Sequence, residues 1–237
     1  MTFPFQKGRL TARLAKQADE LRLCQEMRHA RFFGKVGRDV DAYDARFEHL
    51  MIEDENGQLC ATLRFRIAVD GAALGHGYVG QFYDLAPIAR RTGPFLEIGR
   101  FCTRSDPADA DLLRMLWGAL TRIVDAHDVT MLIGCTSFTG TDPRRYGTVF
   151  QRLAQMHQGP THLSPQITAT HAVPLADIPA DGIAPMPSLL RSYLTMGGWV
   201  GDHVVVDHAM NTLHMFTCVE VAAMSAARVA RLRAVAS

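Results

Sequence analysis

The sequence predicts a mixed α/β fold arranged as one domain, and two observations lead to this prediction. Apolar residues make up 48% of the 237 residues and charged residues 21%, which is typical of a globular chain that buries a core. The apolar pattern also changes along the chain between the alternation of strands and the spacing of helices. Strands interleaved with helices are typical of mixed α/β domains.

The first half of the chain reads as a strand, a helix and a β-hairpin. Residues 8–14 alternate as a strand does, and residues 17–33 carry apolar side chains at helical spacing. The turn sequence Glu-Asn-Gly-Gln at 55–58 separates two strand-like runs, 47–52 and 59–69. These runs are therefore predicted to pair as an antiparallel hairpin.

The second half alternates strands with helices and closes on another hairpin. Asp106 and Pro107 suit the N-cap and first turn of a helix. Asp142 and Pro143 repeat that signal for a helix that runs to about Gln155. The remaining predicted elements are strands at 95–102 and 129–135, a helix at 189–196, and hairpin strands at 204–206 and 212–219.

We predict one domain over residues 1–220, followed by a tail at 221–237. The proline-rich connector at 174–187 is either a loop within that domain or a subdomain border, and the first is favoured. The tail is rich in Ala, Val and Arg. It is either an amphipathic helix that contacts anionic lipid or a plain solvated helix.

The composition limits the function classes and the location. A net charge of +1 argues against a general nucleic-acid coat. Five cysteines without Cys-x-x-Cys spacing, and ten histidines without metal-ligand spacing, argue against a disulfide framework or a metal site. No apolar run approaches the roughly 20 residues of a spanning helix. We expect a cytoplasmic protein, with weak peripheral contact at the inner membrane face.

A basic opening is followed by an acidic segment. Residues 1–38 hold nine Lys/Arg and three Asp/Glu, whereas residues 39–55 hold seven Asp/Glu and one Arg. Asp39, Asp41 and Asp44 form a cluster that either holds a cationic group or is a solvated acidic loop. The spacing alone favours the solvated loop.

Charged residues also interrupt the apolar strand at 95–102. Strand alternation places Glu97 and Phe101 on one face and Arg100 on the other. A charge in an apolar strand is costly unless it is paired or functional. Two interpretations remain open, a functional acid or a salt bridge from Glu97 to Arg64 or Arg66.

The segment 134–140, Gly-Cys-Thr-Ser-Phe-Thr-Gly, shows no nucleophile signature. Ser137 lies outside a Gly-x-Ser-x-Gly elbow because position 139 is Thr. Cys135 has no adjacent base and reads as a small core residue at a strand end.

Taken together in this order, four motifs resemble the GNAT superfamily. The similarity is strongest to the branch with acyl-homoserine-lactone synthases, long-chain N-acyl amino acid synthases and ornithine–acyl-carrier-protein N-acyltransferases, and the last group fits best. The resemblance covers roughly residues 9–220. The motifs are Asp41-Ala-Tyr-Asp44-x-x-Phe47-x-His49-Leu50, Glu97-Ile-Gly-Arg100-Phe-Cys102, Gly134-Cys135-x-Ser137-Phe138-x-Gly140-x-Asp142 and Pro187-x-Leu189-Leu190-x-x-Tyr193-Leu194-x-x-Gly197.

The resemblance implies a GNAT fold, with a mixed central sheet whose splayed parallel strands are flanked by helices. It implies transfer of a 3-hydroxyacyl chain from acyl carrier protein to the α-amine of L-ornithine, which gives lyso-ornithine lipid. It implies no bound cofactor, since the donor is the 4'-phosphopantetheine arm of the carrier. The alternatives are a synthase of acyl-homoserine lactone or another N-acyl amino acid, or a non-catalytic module that binds acyl chains or carriers. The tryptophan usual in the early loop of lactone synthases is missing from residues 34–46.

The same resemblance assigns roles to residues. Glu97 is the candidate general base. The aromatic residue after the first helix falls on Phe32 or Phe33, of which we take Phe33. The candidate substrate-binding residues are Asp41, Asp44, Arg64, Arg100, Phe33, Phe101 and Ser137. From charge, the candidate carrier-docking residues are Arg28, Arg31 and Arg104, with a plain solvated helix face as the alternative. Four aromatic residues either line an acyl tunnel or are plain core: Phe82, Tyr83, Phe95 and Phe138.

The loop at 103–111 indicates whether the acyl donor is coenzyme A or a carrier protein. It contains no glycine and three aspartates where relatives that use coenzyme A cradle a diphosphate. The charges of the three aspartates repel a diphosphate at this loop, and they repel a carrier arm less because it has only one phosphate.

Overall fold

The computed structural model describes residues 3–104 and 109–236, which form strands and helices in alternating groups. The strands are β1 (Phe5–Lys7), β2 (Leu10–Leu14), β3 (Glu48–Glu53), β4 (Leu59–Ala68), β5 (Tyr83–Asp84), β6 (Phe95–Thr103), β7 (Met131–Thr139), β8 (Gln166–Ile167), β9 (Ala172–Pro174), β10 (Trp199–Asp207) and β11 (Thr212–Glu220). The helices are α1 (Ala18–Phe33), α2 (Gly71–Leu74), α3 (Ala86–Ala89), α4 (Ala110–Ala126), α5 (Gly147–Met156), α6 (Ser188–Thr195) and α7 (Ala226–Ala236). The predicted mixed α/β fold is confirmed.

The contacts divide the chain into two compact units. Unit 1 comprises Met1–Ile67, Ile98–Val129 and Ser225–Ser237, and unit 2 comprises Ala68–Glu97 and Thr130–Met224. The divisions do not fall in the proline-rich connector at 174–187. β6 begins in unit 2 and continues into unit 1.

Unit 1 is built on antiparallel strands in the order β1-β2-β3-β4, with β6 next to β4. The predicted strand at 8–14 is β2, which begins at Leu10, and β1 before it was not predicted. Gly8 adopts a φ of 59° in the turn that joins the two strands. The predicted turn between β3 and β4 is confirmed. Asp54 Oδ1 accepts hydrogen bonds from the backbone N–H groups of Asn56 and Gln58 at 3.0 Å, and Gly57 has a φ of 72°.

Helix α1 begins and ends close to its predicted bounds. Glu20 Oε2 accepts hydrogen bonds from the N–H groups of Lys16 and Gln17, which completes a capping box at the first turn. Gly34 ends the helix in the left-handed conformation, and its N–H donates to Ala30 O at 3.0 Å.

Helix α7, within the predicted tail, packs on α4 inside unit 1. Ala236 is buried, and Val235 lies 3.1 Å from the position of a Cβ built on Gly118 of α4. Arg233 pairs with Asp125 at 2.9 Å, and Arg122 Nε donates to Ala236 O at 2.7 Å. The apolar side of this helix is therefore used within unit 1.

Unit 2 has antiparallel strands in the order β7-β11-β10-β9, with β6 next to β7 and a separate β5-β8 pair. Two apolar clusters form its core. One contains Tyr83, Phe95 and Phe216, and the other contains Phe138 and Phe150. Because neighbouring strand residues point to opposite faces, β7 and β11 contribute to both clusters.

The helix starts follow the predicted chemistry in part. Asp142 accepts a hydrogen bond from the N–H of Arg144, but Pro143 opens a 3₁₀ turn, and α5 begins only at Gly147. For α4, Asp109 is the N-cap and accepts from Asp111 N at 2.8 Å. Asp106 and Pro107 lie outside the described residues. In the described ranges, no helix has the length and apolar character needed to cross a membrane.

We expect Phe150→Ala to lower the free energy of unfolding by about 3 to 5 kcal/mol, because Phe150 is fully buried between Phe138 and Tyr146. Met156→Ala, in the same helix but 65% exposed, is the matched control. Urea denaturation measures both, and equal losses would contradict the assignment of the core.

Candidate active site

Unit 1 holds a network of six charged residues, four of which are buried. Three arginines come from α1, β4 and β6, and three aspartates come from the loop between α1 and β3. Its members, called here the ion-pair network, are Arg28, Arg64, Arg100, Asp39, Asp41 and Asp44.

Asp44 is the most heavily engaged member of the network. Its oxygens accept from Arg28 Nη2 at 2.9 Å, Arg64 Nη1 at 2.8 Å and Gln25 Nε2 at 2.9 Å. Burial acts to raise the pKa of Asp44, but hydrogen bonds and charge attraction from Arg28, with Gln25 and Arg64, outweigh burial and lower it to about 2. Asp44 is therefore ionised throughout the ordinary pH range.

Asp39 and Asp41 connect the same arginines to Arg100. Asp39 Oδ2 lies 2.9 Å from Arg28 Nε and 3.1 Å from Arg100 Nε. Asp41 accepts two hydrogen bonds from Arg64, at 2.6 and 2.8 Å, and one from Arg100 at 3.3 Å. Its side chain is 24% exposed, the largest exposure in the network, so it is the carboxylate that solvent reaches most easily.

Three sequence predictions are corrected by this network. The acidic cluster is not a solvated loop, since Asp39 and Asp44 are buried and paired. Arg28 is 1% exposed, so it is unable to dock a carrier. Asp44 does not suit the direct ammonium contact predicted for it, because two arginines and Gln25 already occupy its oxygens.

Aromatic rings and a histidine line the network. Arg64 Cζ lies 5.8 Å from the Tyr43 ring centre and 5.1 Å from that of Phe47. His49 is buried with Nε2 3.1 Å from Asp44 O, and burial lowers its pKa, which favours the neutral ring. Of the two candidate phenylalanines, Phe32 lies 5.9 Å from Arg100 Cζ, whereas the chosen Phe33 packs on His29.

Arg100 departs from the predicted strand alternation. Its φ of 55° is left-handed, which is uncommon for a residue with a side chain and breaks the regular pleat of β6. The guanidinium joins the network at Asp39 and Asp41. Alternation alone therefore does not give the direction of the side chains after Gly99, and Phe101 is half-buried.

Glu97 lies in unit 2 and is 1% exposed. Its Oε1 accepts a hydrogen bond from the backbone N–H of Val79 at 2.8 Å. A Cβ built on Gly77 would lie 1.7 Å from Glu97 Oε2, so only glycine permits the carboxylate to approach this backbone. This contact was not predicted from the sequence. The glycine-rich stretch at 71–80 is the feature of the sequence that could have indicated a close approach to the backbone.

The remaining candidates are dispersed. Ser137 is exposed on β7, opposite His214 of β11. Arg31 and Arg104 are exposed, and Arg104 Nη2 lies 3.3 Å from Asp54. Phe138 packs in a different apolar cluster from the other three tunnel candidates, so the four do not line one tunnel.

A buried polar group in unit 2 was also missed. The Tyr83 hydroxyl donates to His214 O at 3.1 Å, and His203 Nδ1 lies 2.6 Å from Asp202. Burial raises the pKa of Tyr83 well above its ordinary value, so it remains a neutral donor. Nothing in the spacing of the histidines along the sequence distinguishes these two from the others.

We expect Asp44→Asn to lower the free energy of unfolding at neutral pH by about 3 to 5 kcal/mol, because Arg28 and Arg64 lose a buried counter-charge. Asp181→Asn is the control, since Asp181 forms an exposed pair with Arg144. Denaturant unfolding measures both, and a loss no larger than the control's would refute the importance of the network.

The same substitution tests the pH dependence. The folded pKa of about 2 lies below the ordinary value of 3.8, so the contribution of Asp44 is complete above pH about 4 and is lost as pH falls toward 2. The free energy of unfolding of the parent should therefore fall by up to about 2 kcal/mol more than that of Asp44→Asn between pH 5 and pH 2. Denaturant unfolding at a series of pH values in this range measures the difference.

Comparison with known proteins identifies the chain's relatives. Residues 22–118 match the family described as an acetyltransferase (GNAT) domain. The chain is similar to two curated proteins, each named L-ornithine N(alpha)-acyltransferase. The protein from Rhodobacter capsulatus is 30% identical over 234 residues, 90% of each chain. The protein from Agrobacterium fabrum is 25% identical, over 92% of this chain and 83% of its own.

Among solved structures, the chain is similar to apo TofI with a TM-score of 0.48 and 16% identity, over 96% of this chain and 99% of that one.

The family match and the curated relatives confirm the predicted resemblance and the enzyme class, an acyltransferase. With 30% identity to a curated member across nine tenths of both sequences, the chain belongs to the L-ornithine N(alpha)-acyltransferase family of GNAT enzymes.

Proposed function

We propose that this chain transfers a 3-hydroxyacyl group from acyl carrier protein to the α-amine of L-ornithine, which gives lyso-ornithine lipid. The similarity to curated relatives that carry the ornithine acyltransferase name supports the choice of acceptor. The observation that carries the chemistry is the buried Glu97 carboxylate, held at one oxygen by the N–H of Val79.

Glu97 is the proposed general base. An ammonium group is not a nucleophile, so the α-amine of ornithine must first lose a proton, which passes to the carboxylate directly or through water. The amine nitrogen then forms a bond to the thioester carbon, and the carbon–sulfur bond breaks. The second proton that the nitrogen loses passes to the departing sulfur, which leaves as the pantetheine thiol. A backbone N–H of β6 is the proposed donor to the oxyanion that develops between these steps.

The ion-pair network is the proposed acceptor side of the site. Its three arginines and three aspartates balance, so the network carries no formal net charge. Asp41, the most exposed carboxylate, suits the side-chain ammonium of ornithine, and Arg100, 13% exposed, suits its carboxylate or a donor phosphate. Arg64 is 1% exposed and is better placed to orient Asp41 than to touch substrate.

The proposed donor is the 4'-phosphopantetheine arm of acyl carrier protein. Asp109 and Asp111 lie at the start of α4, where their charges oppose a diphosphate. Carrier proteins of this kind are acidic, so exposed cations suit the docking surface. Because Arg28 is buried, the remaining docking candidates are Arg31 and Arg104, which are both exposed.

A competition assay tests the proposal against its alternatives. Purified chain is incubated with 3-hydroxyacyl carrier protein and equal amounts of ornithine, other amino acids and S-adenosylmethionine, and products are identified by mass spectrometry. We expect acyl-ornithine, and less product when the acyl chain is carried by coenzyme A. Product only with S-adenosylmethionine would favour a lactone synthase, and no product with any amine would favour a binding module.

We expect Glu97→Gln to lower kcat/KM for ornithine by about 10² to 10⁴-fold, because the amide does not accept the amine proton. Folding should survive, since the amide oxygen still accepts from Val79. Glu55→Gln, in the exposed turn between β3 and β4, is the control. Unchanged turnover in Glu97→Gln would remove Glu97 from the mechanism.

We expect Gly77→Ala to lower the same rate by at least about tenfold, because the added methyl group displaces the Glu97 carboxylate. Gly75→Ala is the matched control in the same loop, where the nearest atom to the added Cβ is 4.0 Å away. Steady-state kinetics and thermal melting of both variants separate misplacement of the base from unfolding. Equal rates in the two variants would contradict the geometry.

A further inference from the structure

In the loop at 34–46, between α1 and β3, acidic side chains face the interior and apolar side chains face solvent. Its three aspartates are turned inward into the ion-pair network, and Asp39 and Asp44 are buried. Two of its apolar side chains are turned outward: Val36 is 101% exposed and Val40 is 59% exposed. A loop that folded only to bury apolar area would show the opposite arrangement.

Charge contacts and backbone contacts hold this loop in place. Arg28 Nη2 donates to the backbone oxygen of Asp39, and the N–H of Asp39 donates to Gln25 O at 3.1 Å. Gly37 lies directly against the His29 ring, with a built Cβ 2.4 Å from it, and Lys35 O lies 3.0 Å from His29 Nδ1. The outward position of the valines is thus fixed by their neighbours and does not arise from their own packing.

The exposed ionisable side chains of residues 30–47 are all cationic. Glu48, just beyond this stretch, is an exposed acid. Arg38 donates to the neutral Gln25 Oε1 and so keeps its charge, and Arg46 lies 4.5 Å from the Tyr43 ring centre. The four exposed cations are Arg31, Lys35, Arg38 and Arg46.

We propose that the 34–46 loop binds an anionic lipid surface, with Val36 and Val40 in the apolar boundary and Lys35, Arg38 and Arg46 among the lipid headgroups. Exposed apolar side chains in the same segment as exposed cations are the pattern that such surfaces bind, because partial insertion and charge attraction act together. The full exposure of Val36 favours lipid over an acidic protein, for which the cations alone would suffice.

This loop replaces the C-terminal helix as the lipid contact. The apolar side of α7 is already packed on α4, and Arg233 is paired with Asp125. The 34–46 loop, in contrast, leaves its two valines in solvent.

Vesicle flotation of the full chain tests the proposal without reference to acyl transfer. Vesicles of phosphatidylcholine alone are compared with vesicles that contain about one third phosphatidylglycerol, at low and high salt. We expect binding to the anionic vesicles only, with a decrease at high salt. Val36→Ser with Val40→Ser, and separately Lys35→Glu with Arg38→Glu, are each expected to lower the bound fraction at least fivefold.

Matched variants serve as controls for the exposed surface. Ile183→Ser removes an equally exposed apolar side chain, 90% exposed in unit 2, and should bind as the parent does. Arg152→Glu with Arg191→Glu changes the net charge by the same amount as the loop reversal and should also retain binding. Thermal melting confirms that each variant remains folded.

Four results would overturn the proposal. The first is a parent chain that does not float with anionic vesicles, and the second is loop variants that bind as the parent does. The third is a loss of binding in Arg231→Glu of α7 that matches the loss in the loop variants. The fourth is a valine double variant that loses affinity for acyl carrier protein but floats normally, which would make the loop a protein interface.

Discussion

The ion-pair network is the interaction on which the conformation of the loop at 34–46 depends. Four of its six charged side chains are buried in unit 1, and each of the four would be costly there without its partners. The arginines stand on three regular elements, whereas the aspartates all stand on one irregular loop. The loop therefore has a defined conformation because the arginines require counter-charges at fixed places.

The members of the network differ in their exposure to solvent. Arg28 and Arg64 are each 1% exposed, and Asp44, which pairs with both, is 5% exposed. Exposure rises toward Asp41 and Arg100, at 24% and 13%. Solvent therefore reaches the network mainly at Asp41 and Arg100, which the ion pairs with the inner residues hold in place.

Glu97 is held in a different way. Its carboxylate rests against backbone, where Val79 donates one hydrogen bond and Gly77 leaves the space that a side chain would fill. These two backbone contacts fix the position of the acid. The two units thus hold acids in different surroundings, since Asp44 is paired with arginines and Glu97 contacts backbone.

The sequence by itself determined the mixed α/β class, the hairpin at 55–58, α1, the start of α5 within a few residues and the acyltransferase resemblance. Each of these follows from local signals, such as the αL position of Gly57 or the capping box at Gln17, or from motif order. The tertiary structure alone decided that Asp39 and Asp44 are buried, that Arg28 faces inward, that Gly77 supports Glu97 and that Val36 faces solvent. Burial and pairing depend on which distant segments meet, and a residue's neighbours along the chain do not contain that information.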